Sequence, residues 1–326
     1  MTVPKTPVII ATRGSLLARW QAQHVQQLLL HICGLSSCLR VVKTTGDRIQ
    51  NRFLHEIGGK GLFIREIEQA LAEKTADIGV HSLKDLPACI DDAFSLSAYL
   101  PRGASGDVLL VRDPAITAKL PSSGAVGPRE LQAVGAFTIG TGSLRRRNLL
   151  VQASNAIQVV PIRGNVDTRM QRLQEGTWQG LVVAAAALER LPTLATGISV
   201  FHLDPMWFVP SACQGTLVIE TLATHPIRSS LLQLNESTAQ RSSEIERSIL
   251  ARLGGDCTLP VGIHYAGGQV QTCVLAADGT ESRAIHPVIE TDSPDVIAEA
   301  VLKKLYQNDL ETIYGKLGLV FPPCGK

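Results

Sequence analysis

The stretch VIIATRGSLLARWQAQHVQQLLLHI, residues 8–32, decides the fold. Its opening VIIAT (8–12) is apolar and rich in β-branched residues, as strands are. Ser15 then stands where a helix N-cap belongs, and Leu17, Trp20, Val25 and Leu28 approximate one helical face. A strand, a tight turn and a helix form a βα unit, and the pattern repeats downstream.

LRVVK (39–43) predicts a strand, LFIREIEQALAEK (62–74) a helix and DIGV (77–80) a further strand, the spacing of a parallel sheet with crossover helices. A second block holds VLLV (108–111), FTIG (137–140), a helix from Ser143, IQVVPI (157–162), a helix from about Asn165, and LVVAAAA (181–187). Two α/β lobes are the simplest account, with the loop-rich RGASGD (102–107) as the crossing between them. After GTLVIETL (215–222) the character changes. A long polar helix over about 237–252 leads into alternating segments near 259–264, 269–276 and 284–290, and a last helix starts at Ser293 with Pro294 in its first turn. This predicts a smaller α+β third domain.

The bulk numbers agree. A chain of 326 residues suits two or three domains, and 45% hydrophobic with 18% charged residues describes a globular protein. The longest apolar run, GLVVAAAAL (180–188), is half a membrane span, and the N-terminus has no secretory apolar region, so a cytoplasmic protein is expected. Its seven cysteines (33, 38, 89, 213, 257, 273, 324) contain no C-x-x-C, which fits free thiols in a reducing compartment. A net charge of +2 argues against binding nucleic acid through overall charge. No H-x-x-x-H, H-E-x-x-H or paired cysteine spacing points to a metal.

Charge is concentrated locally. GTGSLRRR (140–147) puts small residues at a strand-to-helix turn, where unpaired amides and the helix dipole can hold an anion. Arg145, Arg146 and Arg147 follow; successive helical residues splay by about 100°, so at most two of them face one site. IRGNVDTR (162–169) sets Arg163 at a strand end and Arg169 in the next helix, near the sheet edge where open α/β sheets bind ligands. Guanidinium pairing suits carboxylates and phosphates alike, and a solvated basic face is the plain alternative. GGKGLF (58–63) lacks the complete phosphate loop, because Leu54 occupies the place of its first glycine; a hinge and helix start fit better, with Lys60 in reach of an anion. GVHSLKDLP (79–87) crowds His81, Ser82, Lys84 and Asp85 at the exit of a short apolar strand. That cluster reads equally as a surface pair with a turn-capping aspartate or as catalytic machinery, and His81 as a structural hydrogen-bonder. Cys257, in LGGDCTLPVG (253–262), reads alone as a small buried hydrophobe, and Asp256 beside it disfavours an activated thiolate.

Together these motifs resemble the hydroxymethylbilane synthases, also called porphobilinogen deaminases. The resemblance is carried in order by IATRGSLLARWQA (10–22), TTGD (44–47), GGKGLFIREIEQAL (58–71), DIGVHSLKDLP (77–87), GTGSLRRR (140–147), IRGNVDTR (162–169) and CTLPVG (257–262). It implies two lobes of the type II periplasmic-binding-protein kind plus a small α+β C-terminal domain. Domain 1 then takes 1–102 and 211–230, domain 2 takes 103–210, and domain 3 takes 231–326. It also implies a dipyrromethane cofactor bound by a thioether to Cys257, onto which four porphobilinogen molecules are condensed with loss of ammonia before hydrolytic release of hydroxymethylbilane. On the family pattern Lys84, Ser143, Arg145, Arg146 and Arg169 bind the cofactor, and Arg13, Ser15 and Arg163 the substrate. Asp85 is the catalytic carboxylate that meets pyrrole N–H groups and the cationic azafulvene-like species left when ammonia departs. A monomer without nucleic-acid or membrane partners is expected on the same pattern. Four positions depart from it: Asp256 and Cys213 replace glycines, Gly142 a serine and Gly106 an arginine. The competing classes are a two-lobed binder of an anionic small molecule, or a paralogue unable to load cofactor. A phosphoryl-transfer enzyme is a third, and it lacks the P-loop.

Overall fold

Strand alternation organises both halves of the chain, as seen in a computed structural model that describes residues 6–43, 64–255 and 259–319. The N-terminal elements are β1 (Val8–Arg13), α1 (Leu16–His31), β2 (Ser37–Val42), α2 (Arg65–Ala72), β3 (Ile78–Ser82) and β4 (Phe94–Tyr99). The middle of the chain supplies β5 (Asp107–Val111), α3 (Pro128–Val134), β6 (Phe137–Thr141), α4 (Leu144–Ala153) and β7 (Ile157–Pro161). It continues with α5 (Val166–Gln174), β8 (Gly180–Ala184), α6 (Ala185–Arg190) and β9 (Ser199–His202). Then come β10 (Leu217–Leu222), α7 (Ser237–Arg252), β11 (Val261–Ala266), β12 (Gln269–Leu275), β13 (Glu281–Pro287), α8 (Pro294–Gln307) and α9 (Leu310–Leu317).

The chain divides into two compact units, Met1–Gly103 with Gly215–Arg241, and Ala104–Gln214 with Ser242–Lys326. The first is built on a sheet of order β2-β1-β3-β10-β4, in which β1 runs parallel to β2 and β3 while β10 is antiparallel to both β3 and β4. Alternation along β1 feeds two cores. Val8 and Ile10 join Ala22, Val25 and Leu29 of α1 on one face, and Ala11 joins Ile67, Ala70 and Leu71 of α2 on the other.

The second unit repeats the arrangement with the order β7-β6-β8-β5-β9; β6 is parallel to β7 and β8, and β5 is antiparallel to β8 and β9. Leu109 and Val111 of β5 enter one core, Val108 and Leu110 the other. The fully apolar VLLV is therefore a strand covered on both faces. The same unit contains the antiparallel sheet β11-β12-β13, where Ser282 Oγ donates to the Leu305 carbonyl of α8 at 2.9 Å. Cys273 and Leu275 of β12 join the core that holds Leu109.

Both five-stranded sheets thus share one order, and the α/β class of two lobes with an added α+β segment is the one expected. The strands whose spacing predicts a parallel sheet, β1, β2 and β3, are parallel as expected, and the sheets are mixed because β10 in the first and β5 in the second run antiparallel to their neighbours. LVVAAAA also divides: the strand stops at Ala184 and α6 begins at Ala185, where the alanine run follows its helix propensity. Among the described residues no helix is long and apolar enough to cross a membrane.

Candidate active site

Parallel strands β1 and β3 end at the same edge of the first sheet, the edge where open α/β sheets gather ligands. Arg13 is the last residue of β1, and Ser15 caps α1, its Oγ accepting from the Ala18 N–H at 3.2 Å. Beyond β3 the chain makes one tight helical turn over Leu83–Asp85, which buries Leu83 and leaves Asp85 exposed. Arg13, Ser15, Gln21, His81, Ser82 and Asp85 line a recess of about 420 Å³, open solvent included. Gln21 is buried and donates to Ser82 Oγ at 2.8 Å, which ties α1 to the strand end. Five of the residues singled out from sequence, Arg13, Ser15, His81, Ser82 and Asp85, therefore share one recess, with Lys84 half-buried on the adjoining turn.

One of the residues lining this recess, His81, belongs to a buried ionisable pair. His81 is 6% exposed and Glu220, inside the apolar strand β10, is 0% exposed. His81 Nε2 lies 2.9 Å from Glu220 Oε2. Glu68 of α2 has its pKa raised, first by burial and then by Glu220, with His81 opposing the shift.

In the second unit Ser143 caps α4 by accepting from the Arg146 N–H at 3.4 Å. The helical splay then separates the three arginines as expected: Arg145 and Arg146 are 3% and 6% exposed, and Arg147 faces solvent. Both buried guanidiniums converge on Asp107, the first residue of β5. Arg145 Nη2 donates to Oδ2 at 2.7 Å, and Arg146 donates to Oδ1 through Nε at 3.1 Å and Nη2 at 2.7 Å. Arg145 Nη1 is bound to the Val209 carbonyl and Arg146 Nη1 to the Val182 carbonyl. Gln214 Nε2 adds a bond to Asp107 Oδ1 at 3.0 Å. Burial alone raises the Asp107 pKa, but the two guanidiniums outweigh it and bring it down to about 2. Arg145 Nε is buried without a hydrogen-bond partner among the described residues.

Arg163 and Arg169 are both half-buried; Arg169 Nε donates to the Gly164 carbonyl at 2.8 Å, a turn made possible by the positive φ of Gly164. Of the four departures, Gly142 has a packing reason: a Cβ there would lie 2.7 Å from the Ile162 carbonyl oxygen. Gly106 faces open space. Cys213 holds a left-handed φ of 60°, its N–H bound by the buried carboxylate of Glu246 and its thiol directed to the Ser243 carbonyl. Cys257 and Asp256 lie outside the described residues, as does Lys60. Sequence reasoning missed Asp107, Glu220 and Gln214. For Asp107 and Glu220 the available signal was a charge at the start of, or inside, an apolar strand, a placement that demands a buried partner; Gln214, in a turn, carried none.

Residues 8–227 match the family described as "Porphobilinogen deaminase, dipyromethane cofactor binding domain". The chain is 38% identical over 258 residues to the porphobilinogen deaminase of Sulfurimonas denitrificans, covering 79% of this chain and 78% of that protein. It is 36% identical over 283 residues to that of Burkholderia mallei, covering 85% and 82%. Among solved structures it is similar to the Bordetella pertussis BvgS VFT2 domain, with a TM-score of 0.42, 16% identity and coverage of 75% of this chain and 92% of the other. The GluR0 ligand-binding core with L-glutamate gives a TM-score of 0.40 at 12% identity, covering 71% and 92%.

Proposed function

The chain belongs to the porphobilinogen deaminase family, and from that premise we propose how its own residues carry the reaction. The activity is hydroxymethylbilane synthesis, a transferase reaction of tetrapyrrole and haem biosynthesis that uses porphobilinogen and a dipyrromethane cofactor. When bound, the cofactor supplies the nucleophilic pyrrole carbon on which the chain grows. Its carboxylates suit the donors present: among the described residues the buried Arg145 Nε has no hydrogen-bond partner, and Arg163 and Arg169 add guanidiniums at a strand-to-helix turn.

In this reading Cys257 is the covalent anchor, and Lys84, Ser143, Arg145, Arg146 and Arg169 hold cofactor carboxylates. Arg13, Ser15 and Arg163 hold those of the substrate. Asp107 neutralises one of the two charges on Arg145 and Arg146 and fixes both guanidiniums, so they are organised before any ligand arrives. Asp85 is the catalytic carboxylate: exposed at the recess, it accepts from pyrrole N–H and stabilises the cation left on the substrate as ammonia departs. The observation that carries the reading is the joint presence of Arg13, Ser15 and Asp85 in one recess at the sheet edge.

The division into 1–102 with 211–230, 103–210 and 231–326 belongs to the same reading, as does a cytoplasmic monomer without nucleic-acid or membrane partners. A net charge of +2 supports that last point. The test is the intact mass of the purified protein and of Cys257→Ser, with a colour reaction for pyrroles. An adduct on the first and none on the second is expected; a bare mass with no pyrrole colour on the first overturns the anchor.

A further inference from the structure

The buried pair of His81 and Glu220 has no role in the assignments above, and its chemistry fits a step they leave open. Glu220 sits opposite Gly79 in the antiparallel pairing of β10 with β3. Gly79 and His81 project from the same face of β3, two residues apart. The absence of a side chain at Gly79 makes the contact possible: a Cβ there would be 2.6 Å from Ile67 Cγ2 and 2.9 Å from His81 Nε2. The imidazole is thus held between strand and helix with one nitrogen on the carboxylate. The tautomer with its proton on Nε2 lets that nitrogen donate to the carboxylate and leaves Nδ1 to meet a substrate. Among the described residues Glu220 Oε1 has no hydrogen-bond partner, so the carboxylate is devoted to His81. Glu68 of α2 interacts with both members of the pair and is itself acted on by Arg65 and Asp91, while Arg13 and Asp85 line the recess with His81.

Each round of the reaction releases a proton that needs an acceptor. When the carbon–carbon bond forms, the α-carbon of the acceptor pyrrole holds both the new bond and its original hydrogen. Aromaticity returns only when that C–H bond breaks and its electron pair re-enters the ring. We propose that His81, oriented by Glu220, is the general base that takes this α-proton on Nδ1 and passes it to the ammonia already expelled or to water. His81 lines the recess that holds Asp85, which puts it within the substrate's surroundings. A buried carboxylate behind an imidazole is the arrangement that fixes both tautomer and ring in enzymes using histidine as a base. Glu220 is then a positioning residue. The proposal rests on the deaminase reading of the same recess.

The test uses the full chain carrying its cofactor, with porphobilinogen deuterated at the free α-carbon. In the wild type, proton removal is fast and kcat shows no primary isotope effect. In His81→Gln and His81→Asn, kcat falls about a hundredfold or more, KM is unchanged, and a primary isotope effect appears because proton removal now limits the rate. In Glu220→Gln, the ¹⁵N spectrum of His81 loses the Nε2–H tautomer seen in the wild type, and the isotope effect appears at a smaller fall in kcat. Intact mass and thermal midpoint establish that each variant is folded and loaded. A loaded, folded His81 variant without an isotope effect overturns the proposal, whether or not its kcat falls. So does an isotope effect that arises in Asp85→Asn instead. Failure of the wild type itself to carry an adduct or turn over would strike the deaminase reading, not this one.

Discussion

Arg146 grips Asp107 side-on, with Nε and Nη2 both donating to the single oxygen Oδ1 at 3.1 and 2.7 Å. Since Arg145 holds the other oxygen at 2.7 Å, the carboxylate has a guanidinium on each side, and all three side chains are buried. Removing one partner of such a buried network leaves uncompensated charge. Asp107→Asn should therefore cost about 3 kcal/mol of stability. Chemical denaturation of the second unit's signal measures it, and a loss within the range of an ordinary surface substitution would mean that the arginines find other partners.

The same carboxylate sets an acid limit. Its folded pKa of about 2 lies below the unfolded aspartate value of about 3.9, so the stabilisation is fully present above pH 4 and disappears as pH falls through 2. The wild type should lose roughly 2 kcal/mol more than Asp107→Asn across that window. Denaturation midpoints of both proteins between pH 5 and about pH 2 check it.

Asp85 is exposed at the recess, whereas Asp107 is buried. Asp85→Asn should leave folding and the cofactor adduct intact and lower kcat at least about a hundredfold. Intact mass beside turnover decides it; near wild-type turnover would remove Asp85 from the mechanism.

Gly142 departs from the serine that the family resemblance implies, and Gly142→Ser should harm this protein. Its Cβ would press within 2.7 Å of the Ile162 carbonyl, an atom of the backbone that cannot swing away. A cost of about 1–3 kcal/mol is expected for Gly142→Ser in thermal unfolding, with Arg169, 3.9 Å from the same Cβ position, disturbed in turn.

Asp256 adds negative charge next in sequence to Cys257, the proposed anchor. Asp256→Gly should load cofactor as fast as the wild type or faster, followed by intact mass after mixing apoprotein with porphobilinogen. Slower loading would show that the carboxylate assists the attachment.

Much of this architecture was written locally. Ser15, Ser143 and Ser293 sit where their helices begin and accept the first-turn N–H groups, and the polar helix over 237–252 has those bounds. These signals are short in range, carried by caps and periodicity. Strand direction is not: nothing within VLLV or LVIETL says which way the strand will run beside its neighbour. The same limit applies to the site. Asp85 was visible as a candidate because it follows a strand exit, whereas Arg13 and Ser15 were candidates only through the family resemblance. The partnership of Arg145 with a residue 38 positions earlier, or of His81 with one 139 positions later, depends on which strands become neighbours. The basic cluster therefore read as open to an external anion, whereas the fold gives two of its arginines an internal one.

The placement of β10 between β3 and β4 has a consequence during synthesis. Those two strands have no direct pairing in the finished sheet, so the first unit waits with its middle missing until residue 222 has been made. From Tyr99 at the end of β4, that wait lasts about 6–25 s at translation rates of roughly 5–20 residues per second. Throughout it, the hydrogen-bonding edges of β3 and β4 are available to other chains, and Glu220 has not yet arrived for His81. A nascent chain stalled within the middle segment is thus the form of this protein most in need of a chaperone.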